Sequence, residues 1–180
     1  MRHSNGYKFA AASADEPIVF GAARAGYSDR QVRDWIEFMQ AQNIQRVCCL
    51  LTRSQLDRYS DLAGIYRSSF GIDRICWAPI EDFQIPDPQL LIDLILPFLD
   101  LADRSHEKVV VHCSGGVGRT GIILAAWLVA RRKFSPKLAI ANVKKTGRNP
   151  AEAVIVAPFF GRNSWQVSAE LNDLLDTVGG

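Results

Sequence analysis

Ten consecutive residues, His112-Cys113-Ser114-Gly115-Gly116-Val117-Gly118-Arg119-Thr120-Gly121, constrain this chain more than any other stretch. Before them runs Lys108-Val109-Val110-Val111, a β-branched apolar run with the pattern of a buried strand. After them, Ile122 to Arg132 is long and apolar enough for a buried helix. A glycine-rich turn that joins a strand to a helix N-terminus gathers unpaired backbone N–H groups at the positive end of the helix dipole. Such a turn attracts anions whatever its side chains are.

Two side chains make this anion site reactive. Cys113 opens the turn and Arg119 closes it. A thiol ringed by N–H donors and facing a guanidinium is expected to ionise readily, because each neighbour favours the thiolate. Arg119 presents a planar fork of donors that matches two phosphate oxygens. The glycines at 115, 116 and 118 let the backbone turn its amides inward. Ser114, Gly115, Gly116, Val117, Gly118 and Arg119 are therefore the expected phosphate-binding residues. A nucleophile, an oxyanion cradle and a bidentate clamp together describe thiol-based phosphoryl transfer. The run Gly115 to Thr120 also looks like a nucleotide-binding loop, but that loop needs a lysine where Arg119 stands.

The pattern His-Cys-x-x-Gly-x-x-Arg-[Ser/Thr] is met at every fixed position by His112, Cys113, Gly116, Arg119 and Thr120. In this the chain resembles the cysteine-dependent protein tyrosine and dual-specificity phosphatases. The resemblance extends beyond the loop. Leu51-Thr52-Arg53-Ser54-Gln55-Leu56-Asp57-Arg58-Tyr59 and Pro79 to Asp87 are similar to segments of the kinase-associated dual-specificity phosphatases, and the likeness covers about residues 18 to 146.

Ester cleavage also needs an acid for the leaving oxygen. The residues offer Glu81, Asp82 and Asp87, and Asp87-Pro88 is more economically a helix cap. The resemblance implies Asp82. It further implies a cysteinyl-phosphate intermediate, with the Thr120 hydroxyl bonded to the sulfur and aiding its departure. Thr120 can equally satisfy helix backbone. His112 is read as support for the loop through backbone hydrogen bonding, not as the base. The chemistry calls for no metal or other cofactor.

Order along the chain implies an α/β fold: a largely parallel central sheet of four to five strands with helices on both faces. Strands are expected at 18–20, 44–51, 72–78 and 108–111. Ser28 and Gln31 form a capping box for a helix whose stripe is Val32, Trp35, Ile36 and Met39. Residues 56–70 read as mixed helix ending at Gly71, and 89–104 as a helix kinked at Pro97. Ser135-Pro136 opens another helix, 148–150 is a loop, and Ser164 caps the last helix. Residues 1–17 read as an irregular arm, 18–180 as one catalytic domain, and 151–161 shows no period.

The chain has 180 residues, 48% apolar and 22% charged, with a net charge of +2. Neither nucleic acid nor membrane is indicated as a partner by so mild a charge. No signal-peptide pattern is visible at the N-terminus, and no disulfide framework is visible in four irregularly spaced cysteines. A reducing, cytoplasmic setting is expected. The uncharged Ser114, Gly115 and Val117 argue against phosphoinositides, since phosphoinositide enzymes of this superfamily carry lysines there. The expected function is hydrolysis of phosphotyrosine, with phosphoserine/threonine, in a phosphorylated protein partner. The alternatives are a phosphatase for small-molecule, phosphoinositide or RNA 5'-phosphates, or an idle phosphoprotein-binding module. Lys144-Lys145 with Arg148 hints faintly at RNA, although Arg148 reads first as a solvated loop residue. Cys49 is the expected redox partner of Cys113, because its strand ends near the loop.

Overall fold

The structure is a computed structural model and describes residues 6–180. Five strands form one sheet in the order β1-β2-β5-β3-β4. They are β1 (Ala10–Ala11), β2 (Val19–Ala23), β3 (Ile44–Cys49), β4 (Ile75–Trp77) and β5 (Lys108–Cys113). All neighbours run parallel except β1, which pairs antiparallel with β2. The central strand, β5, is therefore the one that leads into the glycine-rich turn.

Among the described residues, eight α-helices surround the sheet: α1 (Asp29–Ala41), α2 (Arg53–Leu56), α3 (Leu62–Phe70), α4 (Leu96–Arg104), α5 (Gly118–Arg132), α6 (Pro136–Lys145), α7 (Glu152–Val156) and α8 (Ser164–Gly179). One face carries α1 and α3, which bury Val32, Trp35, Ile36, Met39, Tyr66 and Phe70 against Val47, Cys49 and Val110. The other face carries α4 and α5 against Val19, Cys48, Val109 and Val111. Residues 118–130 of α5 are all buried, because α6 and α8 cover the side of α5 that the sheet leaves free. A helix enclosed on every side shows no amphipathic period. No helix among the described residues is long and apolar enough to cross a membrane.

Local chemistry accounts for most boundaries. Ser28 and Gln31 form the reciprocal capping box, a motif whose loss costs about 1 kcal/mol. Asp87 Oδ1 accepts from the Gln89 and Leu90 amides at 2.7 and 3.3 Å, so it serves as a cap. Before α4 the chain makes a π-helical turn, Leu90–Ile95, in which the Leu96 amide donates to the Leu91 carbonyl. Pro97 has no amide to give to the preceding turn, and the widened turn there accommodates its ring.

Several boundaries differ from the sequence reading: β2 runs through Gly21 to Ala23, residues 72–74 form a 3-10 turn ahead of β4, and the helix read at 56–70 starts only at Leu62. Asn163 caps α8 and Ser164 is its first residue; the Asn163 side chain accepts from the Trp165 amide at 2.8 Å. The segment 151–161 forms the short helix α7 and a 3-10 turn, Ala157–Phe160, burying only Ala153 and Ala157.

The arm at 1–17 is not wholly irregular. Residues 1–5 lie outside the described residues, but Ala10–Ala11 adds a strand to the sheet edge. Two alanines give no alternation by which a strand could be read. Glu16 is buried, and its Oε1 accepts from the amides of Ile18 and Val19 at 3.0 and 3.1 Å. Its Oε2 accepts from Trp127 Nε1 at 3.2 Å and Arg132 Nε at 2.8 Å, and Arg132 also holds Asp103 at 2.6 Å. The arm is thereby fastened to the C-terminal end of α5.

Candidate active site

Cys113 is the last residue of β5, and residues 114–117 turn into the N-terminus of α5. Three of the four carbonyls of residues 114–117 are occupied from outside the loop. Ser114 O accepts from the Arg24 amide at 3.3 Å, Gly115 O from Lys8 Nζ at 3.2 Å, and Val117 O from the amides of Asn149 and Gly121 at 3.3 and 3.0 Å. None of the amides of residues 114–117 donates to an acceptor among the described residues. An outward set of carbonyls and a free set of amides make an anion cradle. Gly116 has φ +67°, and a Cβ there would lie 2.5 Å from the Ala22 and Ala23 backbone, so only glycine fits.

A cavity of about 300 Å³ opens over the loop. Its floor includes Cys113, Ser114, Gly115, Val117, Gly118 and Arg119. Its walls are Lys8, the acid loop at Asp82, Phe83 and Gln84, and Glu152 and Ala153 of α7. Arg119 is buried, and its Nη1 donates to the Ile80 carbonyl at 2.7 Å and to Gln55 Oε1 at 3.1 Å. Its Nη2 forms an ion pair with Asp82. Gln55 Nε2 in turn donates to Asp82 Oδ2 at 2.8 Å. Of the three acids the sequence offered, Asp82 lines the cavity; Glu81 is exposed and Asp87 caps a helix.

Two expectations change, those for Cys49 and Arg148. His112 is held from its far side: its Nε2 meets the Tyr66 hydroxyl at 3.2 Å, and its ring lies edge-on to Trp35 and Tyr66. The pleat turns residue 112 away from the loop and toward α1 and α3. Nδ1 lies beside the Cys113 backbone without a hydrogen bond of ordinary geometry. Burial pushes the imidazole down to about 4, with a smaller push from Arg119. His112 is thus a neutral packing residue at physiological pH.

Cys49 faces α1 and α3, whereas Cys113 packs with Val111 and Cys48 on the other side of the sheet. The registers pair Cys49 with His112, so alternation puts Cys49 and Cys113 on opposite faces. Burial also raises the Cys49 thiol to about 12, which leaves it poorly suited to trap an oxidised Cys113.

Arg148 is buried, not solvated. Its Nη2 donates to the carbonyls of Lys8 and of Gly21, the latter at 2.6 Å. Burial pushes this guanidinium below its usual range. Arg148 therefore ties the N-terminal arm to β2 underneath the loop, and its neighbour Asn149 holds Val117.

Thr120 is fully buried. Its hydroxyl makes no hydrogen bond among the described residues, to the Cys113 sulfur or to helix backbone.

Several wall residues carry no signal in the sequence. Lys8 comes from the arm and Glu152 from the stretch without a period. Phe83 adopts φ +59°, uncommon for a bulky residue, and stacks on Phe160 at 5.5 Å. Gln55 was legible in part, because Thr52 and Gln55 spell a second capping box, which is formed.

The model of a family described as polymorphic toxin system, DSP-PTPase phosphatase matches residues 21–133, from β2 to the end of α5. The chain belongs to this family. Among curated proteins, the dual specificity protein phosphatase OPG106 of Vaccinia virus (strain Copenhagen) is 33% identical over 85 residues. That alignment covers 47% of this chain and 50% of the viral protein. The chain thus spans about half the length of the curated relatives it matches. An uncharacterized protein of Methanocaldococcus jannaschii is 45% identical over 51 residues, 28% of this chain and 31% of that protein.

Solved structures share the DSP-PTPase fold across most of the chain. Tk-PTP in its active form gives a TM-score of 0.65 at 24% identity, covering 87% of this chain and 92% of its own. Kinase associated phosphatase gives 0.65 at 22%, covering 87% and 83%. PTPMT1 in complex with PI(5)P gives 0.69 at 13%, covering 94% and 96%.

Proposed function

We propose that this DSP-PTPase domain is a metal-independent phosphomonoester hydrolase acting on phosphotyrosine, and on phosphoserine/threonine, in proteins. The observation that carries this reading is Cys113 on the floor of a cavity whose free amides and Arg119 guanidinium converge, with Asp82 at its mouth. In the proposed reaction the Cys113 thiolate attacks phosphorus in line, and the bond to the leaving oxygen breaks. The loop amides and Arg119 hold the equatorial oxygens. Asp82 gives its proton to the leaving oxygen and later takes one from the water that attacks the cysteinyl-phosphate. The Thr120 hydroxyl is assigned to the departing sulfur in that second step; it is buried with no hydrogen-bond partner among the described residues, so no existing bond has to break for that role. The charge of the phosphoryl group is met by protein donors throughout, so the scheme needs no metal.

A second reading, a phosphoinositide phosphatase, is favoured by Lys8, a lysine at the cavity that the loop's own residues do not supply. Against it stands Glu152, whose carboxylate lies on the same rim and repels a polyanionic head group.

The test is phosphate release from an aryl phosphate in the presence of a chelator. Wild type is expected to turn over. Cys113→Ser is expected to lose at least about a thousandfold. Turnover that survives in Cys113→Ser rejects the mechanism. A panel of phosphopeptides, a phosphoinositide and a 5'-phosphorylated RNA then separates the substrate classes.

A further inference from the structure

Next to Ser114 lies Arg24, and Arg58 shares an aromatic ring with it; neither guanidinium is in ion-pair contact with a carboxylate among the described residues. Arg24, just past the end of β2, donates from Nε to the Ser114 hydroxyl at 3.3 Å, and Ser114 lines the cavity. Its Nη1 is fixed by the Ala25 carbonyl at 2.7 Å and the Tyr59 hydroxyl at 3.3 Å. Its Cζ lies 3.7 Å from the centroid of the Tyr27 ring, and that of Arg58 lies 3.9 Å from the same centroid. The two charges are therefore within about 8 Å of each other, close enough to repel. Tyr27 is packed in turn on Tyr59, whose hydroxyl donates to the Ala25 carbonyl at 2.8 Å. The cations rest on a fixed aromatic platform.

The acids of this region are engaged elsewhere. Asp57 pairs with Arg53 at 3.0 Å, Asp61 accepts the Gly64 amide at 2.9 Å, and Asp29 accepts the Ser60 hydroxyl at 2.5 Å. Among the described residues neither Arg24 nor Arg58 forms an ion pair. Two cations that rest on one ring, neither in ion-pair contact with a carboxylate, gain from an anion that meets both at the edge of that ring. At a different point of the rim, Glu152 abuts Gly118 and disfavours an anion there.

We propose that Arg24 and Arg58, braced on Tyr27, form a second anion subsite. It takes a carboxylate or a second phosphate on the substrate peptide, a short distance from the phosphoryl group that Cys113 attacks. This rests on the phosphoprotein reading above and adds to it a preference for anionic neighbours. The preference acts in substrate binding, because neither guanidinium hydrogen-bonds Cys113 among the described residues.

Binding to Cys113→Ser, which separates affinity from turnover, tests it. Phosphotyrosine peptides with neutral, glutamate-bearing or doubly phosphorylated flanks are titrated calorimetrically. The glutamate and phosphate arms distinguish the two sources of the anion. Both are expected to bind about tenfold more tightly than the neutral peptide at low salt, with the gap closing as ionic strength rises. In the same background Arg58→Gln is expected to reduce this selectivity ratio, and Arg58→Glu to abolish or invert it. Arg58 is exposed and makes no hydrogen bond among the described residues, so both variants are expected to fold. Equal affinities for neutral and anionic peptides overturn the subsite, as does a ratio that Arg58→Glu leaves unchanged. Aryl phosphate hydrolysis by the wild type is measured alongside. Hydrolysis without anion selectivity rejects the subsite alone. No hydrolysis, with no peptide bound, rejects the function and the subsite together.

Discussion

Asp82 and Arg119 are ion-paired at the mouth of the cavity, and Gln55 bridges them with one amide. A phosphate entering the cradle must share the Arg119 fork with Asp82. Removing that competitor has two opposite effects. Asp82→Ala is expected to lower kcat on phosphotyrosine by about 10²–10⁴-fold, the usual contribution of a general acid. It is also expected to tighten competitive inhibition by inorganic phosphate, because Arg119 is then free to bind it. Inhibition constants for both proteins check this; weaker phosphate binding in the variant contradicts it.

His112 makes stability depend on pH in a defined window. Its folded value is about 4 against an ordinary 6.5, so the folded state refuses a proton that the unfolded state accepts. The contribution is fully present above 6.5. It is lost as pH falls from 6.5 to about 4, at ~1.4 kcal/mol per unit, or ~3 kcal/mol in all. Urea midpoints of wild type and His112→Gln, compared from pH 7 to pH 4, isolate the group, since carboxylates titrate in both. The two curves are expected to converge toward acid; parallel curves refute the assignment.

Glu16 holds two amides, an indole and Arg132 in a buried cluster. Glu16→Ala leaves those donors unsatisfied and is expected to cost ~3–5 kcal/mol. Chemical denaturation measures it, and a loss under about 1 kcal/mol shows that the cluster is better solvated than its burial indicates.

Gly115 and Gly116 are adjacent, yet they answer differently to one methyl group. A Cβ at Gly116 strikes backbone at 2.5 Å, whereas at Gly115 it meets nothing within 4 Å. Gly116→Ala is expected to distort the loop and abolish turnover. Gly115→Ala is expected to melt within a few degrees of wild type. Thermal melts and a structure of each variant decide it.

The strand, loop and helix from 108 to 132 were legible because local signals agreed: a β-branched run, clustered glycines, then a long apolar helix. The caps at Ser28 and Asp87 were legible for the same reason. Lys8 and Glu152 were not, since each reaches the cavity from a segment without periodicity. The burial of Arg148 was hidden because its partners are carbonyls of the arm and β2, which leave no mark on side-chain pattern. The opposed faces of Cys49 and Cys113 follow only from strand register, and register is not written in either strand alone.

Phe83 stacks on Phe160, and Gln84 Oε1 accepts from Arg162 at 3.0 Å. The segment that bears the acid is therefore coupled to the turn after α7. Any widening of the cleft must either part this seam or carry both segments together as one jaw. How far the mouth gapes is then governed from the last quarter of the polypeptide, well away from the sulfur.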